Sequence, residues 1–285
     1  TCFCKVNLML KSGLYLISTP IGNLQDISQR ALDVLNEAPI VACEDTRMTK
    51  KLFSLLGLPL HKKFITYQDH NEEQQAQQLI DMINEGNVMA LVSDAGAPLI
   101  SDPGYKLVSK CREQGVYVTA VPGACAVITA LQLSGLPTNR FLFAGFIPNK
   151  DKARADLFNE LKNINSTLIF YETALRLLKT LEQAAEIFGG RKISVIRELT
   201  KMYEEVQTGS FAEVSAHFTE NEPKGEFVFI VAPPEEPQYT IADVREPLAK
   251  RLQETSLKSA VKELSEQFGL NKNEVYALAL ELKNE

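Results

Sequence analysis

The strongest constraint on this chain is a recurring alternation of short apolar runs with longer amphipathic stretches. Leu14–Ser18, Ile40–Cys43, Val88–Ser93 and Val116–Val121 read as strands. Between and after them, Asp26–Asn36, Glu72–Glu85, the stretch from Pro103 to Gly115, and Ala124–Ser134 read as helices. In the first helix Ile27, Ala31, Val34 and Leu35 fall on one face at helical spacing. Gly86, Gly115 and Gly135 stand where three of the helices must stop. Strand-helix-strand repeats of this kind close into a parallel sheet with helices on both faces.

The pattern changes after Phe141–Phe146. Helices are expected at Asp151–Ile164, Thr173–Phe188 and Phe211–Phe218, and strands at Thr167–Tyr171, Ile193–Arg197 and Glu226–Ala232. These fit a second α/β domain with a mixed sheet. Pro233, Pro234 and Pro237 mark a linker. The tail reads as helices over Ile241–Glu254, Leu257–Phe268 and Asn273–Leu282. The expected organisation is an α/β domain over 13–123, a second over 124–232, and a helical extension over 238–285. The last two helices have helix-turn-helix proportions. The tail's charges nearly balance, with a slight acidic excess, which favours a helical cap or dimer contact over a nucleic-acid contact.

Composition narrows the function. Asp plus Glu outnumber Lys plus Arg by 36 to 30, so the chain does not coat nucleic acid or anionic membranes indiscriminately. Cys2, Cys4, Cys43, Cys111 and Cys125 are irregularly spaced, with no C-x-x-C, and histidines are few, so no disulfide framework or metal site is expected. No apolar run approaches the ~20 residues of a membrane span, and residues 1–13 read as a ragged start, not a signal peptide. A cytoplasmic protein is expected. The phosphate loop, the G-x-G-x-x-G turn and the G-x-S-x-G elbow are all missing.

In open α/β sheets ligands bind beyond the carboxyl ends of the strands. Four such ends are unusual here. Ser18–Leu24 is a tight turn exposing backbone groups, and Glu44-Asp45-Thr46-Arg47 brings two carboxylates, a hydroxyl and a guanidinium to one strand end. The bland reading of the latter is a helix cap with a local ion pair. Ser93–Gly104 offers Asp94 to a ribose or amino group and Gly96 for close backbone approach, with Asp102 capping the helix that Pro103 starts. Val121–Ala126 is a strand-to-helix turn whose N–H groups could meet an anion or carboxylate.

Together these turns resemble the tetrapyrrole-methylase-like superfamily, the class III S-adenosylmethionine-dependent methyltransferases, in its ribosomal-RNA branch. Asp69–Glu72, Phe170-Tyr171-Glu172, Arg197–Lys201 and Lys224-Gly225-Glu226 add to the likeness, which runs in order from about Gly13 to Leu282. Ala97 stands where the family usually has Thr, Ala124 where it has Pro, and Leu175 where it has His. The resemblance implies a bilobed fold with S-adenosylmethionine in the inter-domain cleft. It implies methyl transfer to the 2′-hydroxyl of a cytidine in the decoding region of 16S ribosomal RNA, on the small subunit, by a homodimer. Pro20, Asp94, Gly96, Ala97, Gly123, Ala124, Tyr171, Glu172, Gly225 and Glu226 are the expected cofactor contacts.

A ribose hydroxyl is a weak acid, so a base or a cation beside it would help. Asp45 with Arg47 is the first candidate pair, followed by Glu172 and Lys201. Between Thr46 and Gln68 there is no acidic residue, while Arg47, Lys50, Lys51, Lys62 and Lys63 are basic; Arg140, Lys150, Lys152 and Arg154 form a second basic stretch. Both could meet phosphates. The competing readings are a methyltransferase of this fold acting on a tetrapyrrole or a protein residue, and an inactive RNA-binding or ribosome-assembly protein, which the departures at Ala97, Ala124 and Leu175 would suit.

Overall fold

The computed structural model describes residues 10–68, 72–235 and 239–284. Asp69, His70 and Asn71, used above for the family likeness, lie outside the described residues, as do Cys2 and Cys4. The chain divides into two compact units, the first running to Pro234 and the second from Glu235.

The first unit begins with strands β1 (Gly13–Ile17), β2 (Ile40–Cys43), β3 (Lys63–Thr66), β4 (Val88–Val92) and β5 (Val118–Val121). They form one sheet in the order β3-β2-β4-β1-β5, with every pairing parallel. Alternate residues serve opposite faces. Leu14, Ala42, Met89 and Leu91 pack with α3 (Glu72–Asn84) and α4 (Tyr105–Glu113), whereas Tyr15, Ile17, Val41 and Val92 pack with α1 (Gln29–Glu37) and α2 (Thr46–Leu55). Burial on both faces is why these strands read as unbroken apolar runs.

Local chemistry sets the ends of these helices. The chain enters the expected first helix through a 3₁₀ turn at Leu24–Asp26, and α1 starts only after Ser28, whose hydroxyl caps Ala31 N–H. Ala31, Val34 and Leu35 are buried as the spacing predicts. One capping assignment is corrected: the N-cap of α4 is Gly104, at φ 134°, not Asp102. Strands β3 and β9 (Glu205–Gly209) were not foreseen, because their alternation is irregular and mixed with charge, and helix α2 was foreseen only through the cap and ion pair read at Glu44–Arg47.

After β5 the chain crosses to a second sheet. Helix α5 (Ala126–Leu133) packs Val127, Ala130 and Leu131 against Ile169, Ile196, Val228 and Ile230. Those residues belong to β7 (Thr167–Thr173), β8 (Ile193–Arg197) and β10 (Glu226–Val231), which join β6 (Phe141–Phe146) and β9 in the order β6-β7-β10-β8-β9. Only β6 and β7 are parallel, so the sheet is mixed as expected. Its other face is covered by α6 (Asp151–Leu161), α7 (Leu177–Phe188) and α8 (Phe211–Glu220), which bury Phe158, Phe170, Phe218 and Phe229.

The second unit holds α9 (Ile241–Glu254), α10 (Leu257–Phe268) and α11 (Lys272–Asn284) around Val244, Leu248, Val261, Leu264 and Val275. Thr240 and Asp243 form a capping box, and Gly269 ends α10 in the left-handed region at φ 61°.

Within the second basic stretch, Arg154 is 1% exposed. Its guanidinium donates to Gln183 Oε1 at 2.6 Å and Asp151 Oδ1 at 2.9 Å. Arg154 is therefore a structural residue and not a phosphate ligand. Truncating this buried side chain leaves a void and strips Gln183 of its donor, so Arg154→Ala is expected to lower unfolding free energy by about 1–3 kcal/mol in urea titration. An effect within error of zero would contradict this role.

Candidate active site

Strand ends of the first sheet converge because β4 and β1 are adjacent at its centre. Beyond them, Thr19 N–H donates to Gly96 O at 2.9 Å and Gly96 N–H to Thr19 O at 3.1 Å, an isolated antiparallel bridge. Thr19 Oγ1 donates to Ser93 O at 3.2 Å. Gly96 has φ 85°, and a Cβ there would stand 3.1 Å from Ile21 Cγ2. Glycine thus allows both the turn and the close approach of Ile21.

A cavity of about 350 Å³ opens beside this bridge. That volume lies in the range of sites for small organic ligands. The first sheet contributes Ile21 and the loop Asp94, Ala95, Gly96, Ala97, Ile100, Ser101 and Asp102. Leu99 and Ser101 hold φ values of 73° and 65°, a region that L-residues rarely adopt. Such strain persists where surrounding contacts impose it, commonly at ligand sites. The second sheet supplies Tyr171, Ile196, Leu199 and Val228 from its α5-facing side, with Phe146, Thr173, Gly225, Glu226 and Phe227 around them. Phe146 and Ile100 line this cavity while remaining exposed to solvent, an apolar surface open to a ligand.

Of the expected cofactor contacts, Asp94, Gly96, Ala97, Tyr171, Glu172, Gly225 and Glu226 line the cavity, whereas Pro20, Gly123 and Ala124 do not. Gly123 serves packing: a Cβ on it would stand 2.9 Å from Ser18 Cβ. Ile21, Ile100, Asp102, Cys125, Phe146 and Leu199 line it without having been foreseen. All but Phe146 lie inside the motifs quoted above, which marked their segments without marking these residues as contacts. Asp94 lies in the loop past β4, and burial pushes its carboxyl pKa up, helped by the like charge of Asp45. A hydrogen bond from the Asp45 backbone opposes that rise. Burial also pushes the Tyr171 hydroxyl up, and Phe143 and Phe146 meet its ring edge-on at 4.8 and 5.2 Å.

The four catalytic candidates are not brought together as free acid-base groups. Asp45 is the N-cap of α2: its Oδ1 accepts from Arg47 N–H at 2.8 Å, and its Oδ2 pairs with the Arg47 guanidinium at 2.8 Å. These bonds hold the Asp45 carboxyl at a pKa of about 2, too low for a strong proton acceptor. Glu172 is corrected more sharply. Its side chain is fully buried, on the face of β7 opposite Tyr171, where it pairs with Arg176 at 2.7 Å and accepts from Thr180 at 2.6 Å. Its carboxylate is structural, and the expected role as a base fails on that geometry. Lys201 bridges Glu198 at 2.9 Å and Glu226 at 2.7 Å. Partial burial opposes its charge, but those two bonds outweigh it and push its pKa up, so Lys201 remains a cation.

In the first basic stretch, Lys62 donates to Asn36 O and Ala38 O at 2.7 and 2.8 Å and is withdrawn from phosphate contact. Lys51 is exposed, the Lys50 ammonium lies 5.3 Å from the Phe64 ring, and the Arg47 side chain is 89% exposed. Leu175 is wholly exposed and does not line the cavity, so among the departures only Ala97 touches it. Among the described residues there is no cluster of His, Cys, Asp or Glu able to hold a metal, and no helix is long and apolar enough to cross a membrane.

Residues 13–215 match the family model for Tetrapyrrole (Corrin/Porphyrin) Methylases, and residues 240–283 match the RsmI C-terminal HTH domain. A Vibrio cholerae protein named Ribosomal RNA small subunit methyltransferase I is 45% identical over 273 residues, covering 94% of each chain. The Rickettsia prowazekii protein of the same name is 49% identical over 225 residues, 79% of this chain and 80% of that one. The chain belongs to the ribosomal RNA small subunit methyltransferase I family. Its fold is shared more distantly with diphthine synthase (TM-score 0.60, 16% identity, covering 77% of this chain and 89% of that one). It is also shared with uroporphyrin-III-C-methyltransferase from Thermus thermophilus (TM-score 0.53, 20% identity, 77% and 93%). The helical tail of this chain is thus similar to a domain described as helix-turn-helix, the proportions noted for its last two helices.

The Asp45 geometry yields a pH prediction. A carboxyl whose folded pKa is depressed adds stability that is present above its unfolded pKa and lost as pH falls through the folded one. The stability advantage of the wild type over Asp45→Asn should therefore be constant near neutrality and shrink between about pH 4 and pH 2. Thermal melts across that range check it, and a gap independent of pH would contradict the ion pair. Asp45→Ala, which also loses the cap, should melt lower than Asp45→Asn.

Proposed function

We propose that the protein transfers a methyl group from S-adenosylmethionine to the 2′-hydroxyl of a cytidine ribose in 16S ribosomal RNA. Its substrate is the decoding region of the small subunit, and it acts as a cytoplasmic homodimer. The observation that carries this reading is the convergence of the Asp94–Asp102 loop, Ile21, Tyr171, Leu199 and Glu226 on one cavity in a chain of the methyltransferase I family.

The donor set suits this methyl donor. Carboxylates at Asp94, Asp102 and Glu226 complement a cationic ligand and can accept from ribose hydroxyl or ammonium groups, while Ile21, Ile100, Phe146 and Tyr171 supply an apolar wall for a base. A bound sulfonium brings a methyl that is already strongly electrophilic, so alignment is the main task left to the protein. Asp94 holds the donor side, and Gly96, which has no Cβ, leaves room for it. Arg47, exposed at the start of α2, with Lys50 and Lys51, faces phosphates of the acceptor strand. As the new carbon–oxygen bond forms, the carbon–sulfur bond breaks and the hydroxyl proton leaves to solvent, since Asp45 is a weak acceptor.

The test is methyl transfer in vitro from methyl-labelled S-adenosylmethionine to small subunits lacking ribose methylation, followed by nucleoside analysis. Label is expected in 2′-O-methylcytidine; label on a base, or none, overturns the reading. Asp45→Asn should keep single-turnover rates within a few-fold, whereas a loss of about 10²–10⁴-fold would restore Asp45 as a general base.

For the donor side, Asp94→Ala should weaken S-adenosylmethionine binding by about ten- to a hundredfold in calorimetry, as expected for a lost charged hydrogen bond. Unchanged affinity would remove Asp94 from the site.

A further inference from the structure

The turn Glu198–Lys201 has features that the cavity alone does not explain. Glu198 and Thr200 both hold positive φ, 49° and 62°, on either side of Leu199. Two L-residues so close together in that region need strong local contacts to keep them there. Those contacts exist. Glu198 N–H donates to Glu226 O at 3.0 Å, and Glu226 N–H returns to Glu198 Oε1 at 3.0 Å. Lys201 bridges the two carboxylates, and Thr200 N–H donates to Glu204 Oε2 at 2.7 Å.

The strained turn presents the Thr200 hydroxyl to the other sheet's loops, where it accepts from Asn23 N–H at 3.2 Å. Gly22 sits flat against the same turn. A Cβ there would stand 2.5 Å from Lys201 Cγ, 2.8 Å from Thr200 Oγ1 and 2.9 Å from Leu199 O. One residue earlier, Ile21 enters the cavity wall against Gly96, while Leu199 and Glu226 enter it from the opposite side. A single turn therefore fixes cavity residues from both sheets.

We propose that Thr200 is a positioning residue: its hydroxyl latches the Ile21–Asn23 turn to the second sheet and so sets the width of the donor cavity. The proposal rests on the methyl-transfer reading of that cavity. Thr200 does not line the cavity; it holds Asn23 and Gly22, next to Ile21, and adjoins Leu199, so it acts through those neighbours and not on the methyl group.

The test compares the full chain with Thr200→Val, which keeps shape but loses the acceptor, and Thr200→Ser, which keeps it. Thr200→Val should raise the KM and Kd for S-adenosylmethionine about three- to tenfold, the effect of one hydrogen bond, with kcat at saturation unchanged. Thr200→Ser should bind within about twofold of wild type. Gly22→Ala, which forces the turns apart, should weaken binding at least as much as Thr200→Val. A purely structural role would lower melting temperature and the active fraction in Thr200→Val while leaving KM and Kd unmoved, and that result overturns the proposal. Equal affinity in Thr200→Val and wild type overturns it too. A wild type that takes up no S-adenosylmethionine overturns the methyl-transfer reading and the latch together, which separates that failure from failure of the latch alone.

Discussion

The reciprocal hydrogen bonds between Thr19 and Gly96 are the constraint on which the site depends. They tie the loop leaving β4, the middle strand of the parallel sheet, to the loop leaving its neighbour β1. Without that tie the two loops would be free to separate, and Ile21 would have no fixed place beside the Asp94 loop. Gly96 is required twice over, for its positive φ and for the room it leaves to Ile21. Leu99 and Ser101 hold positive φ in the same loop, Leu99 packed on the core beneath α3 and α4 and Ser101 lining the cavity.

The two sheets divide the chemistry unequally. The parallel sheet contributes carboxylate and backbone groups at strand ends, as its topology favours. The mixed sheet contributes a face: Tyr171, Ile196 and Val228 alternate with residues that build the opposite core. That alternation explains why neighbours in sequence have unlike fates. The Tyr171 ring faces the cavity, whereas Glu172, at the cavity edge, has its carboxylate turned to Arg176 and Thr180.

Much of this was legible in the sequence. The parallel sheet could be read because strands buried on both faces are unbroken apolar runs, and the mixed sheet from the changed order of helices and strands. Strand-end motifs pointed to Asp94 and Gly96, because polar and glycine residues at such places have few structural uses, and the family resemblance added Ala97 and Tyr171. What could not be read was side-chain direction and pairing. The motif Tyr171-Glu172 does not say which member faces the ligand. Arg154 and Lys62 look like surface cations until the fold buries one and ties the other to carbonyls. Gly104 displaced Asp102 from the α4 cap, and Asp102 lines the cavity. Phe146 was invisible because only tertiary structure brings it there.

The central claim is that the donor lies between the Asp94–Asp102 loop and the Tyr171–Leu199 wall. A crystal structure of the full chain with S-adenosylhomocysteine, the product of the proposed reaction, tests it most directly. The account predicts the ligand in contact with Asp94, Gly96 and Tyr171, with Ile21 still seated against Gly96. Ligand bound at another surface of the chain, with this cavity filled only by water, would contradict it.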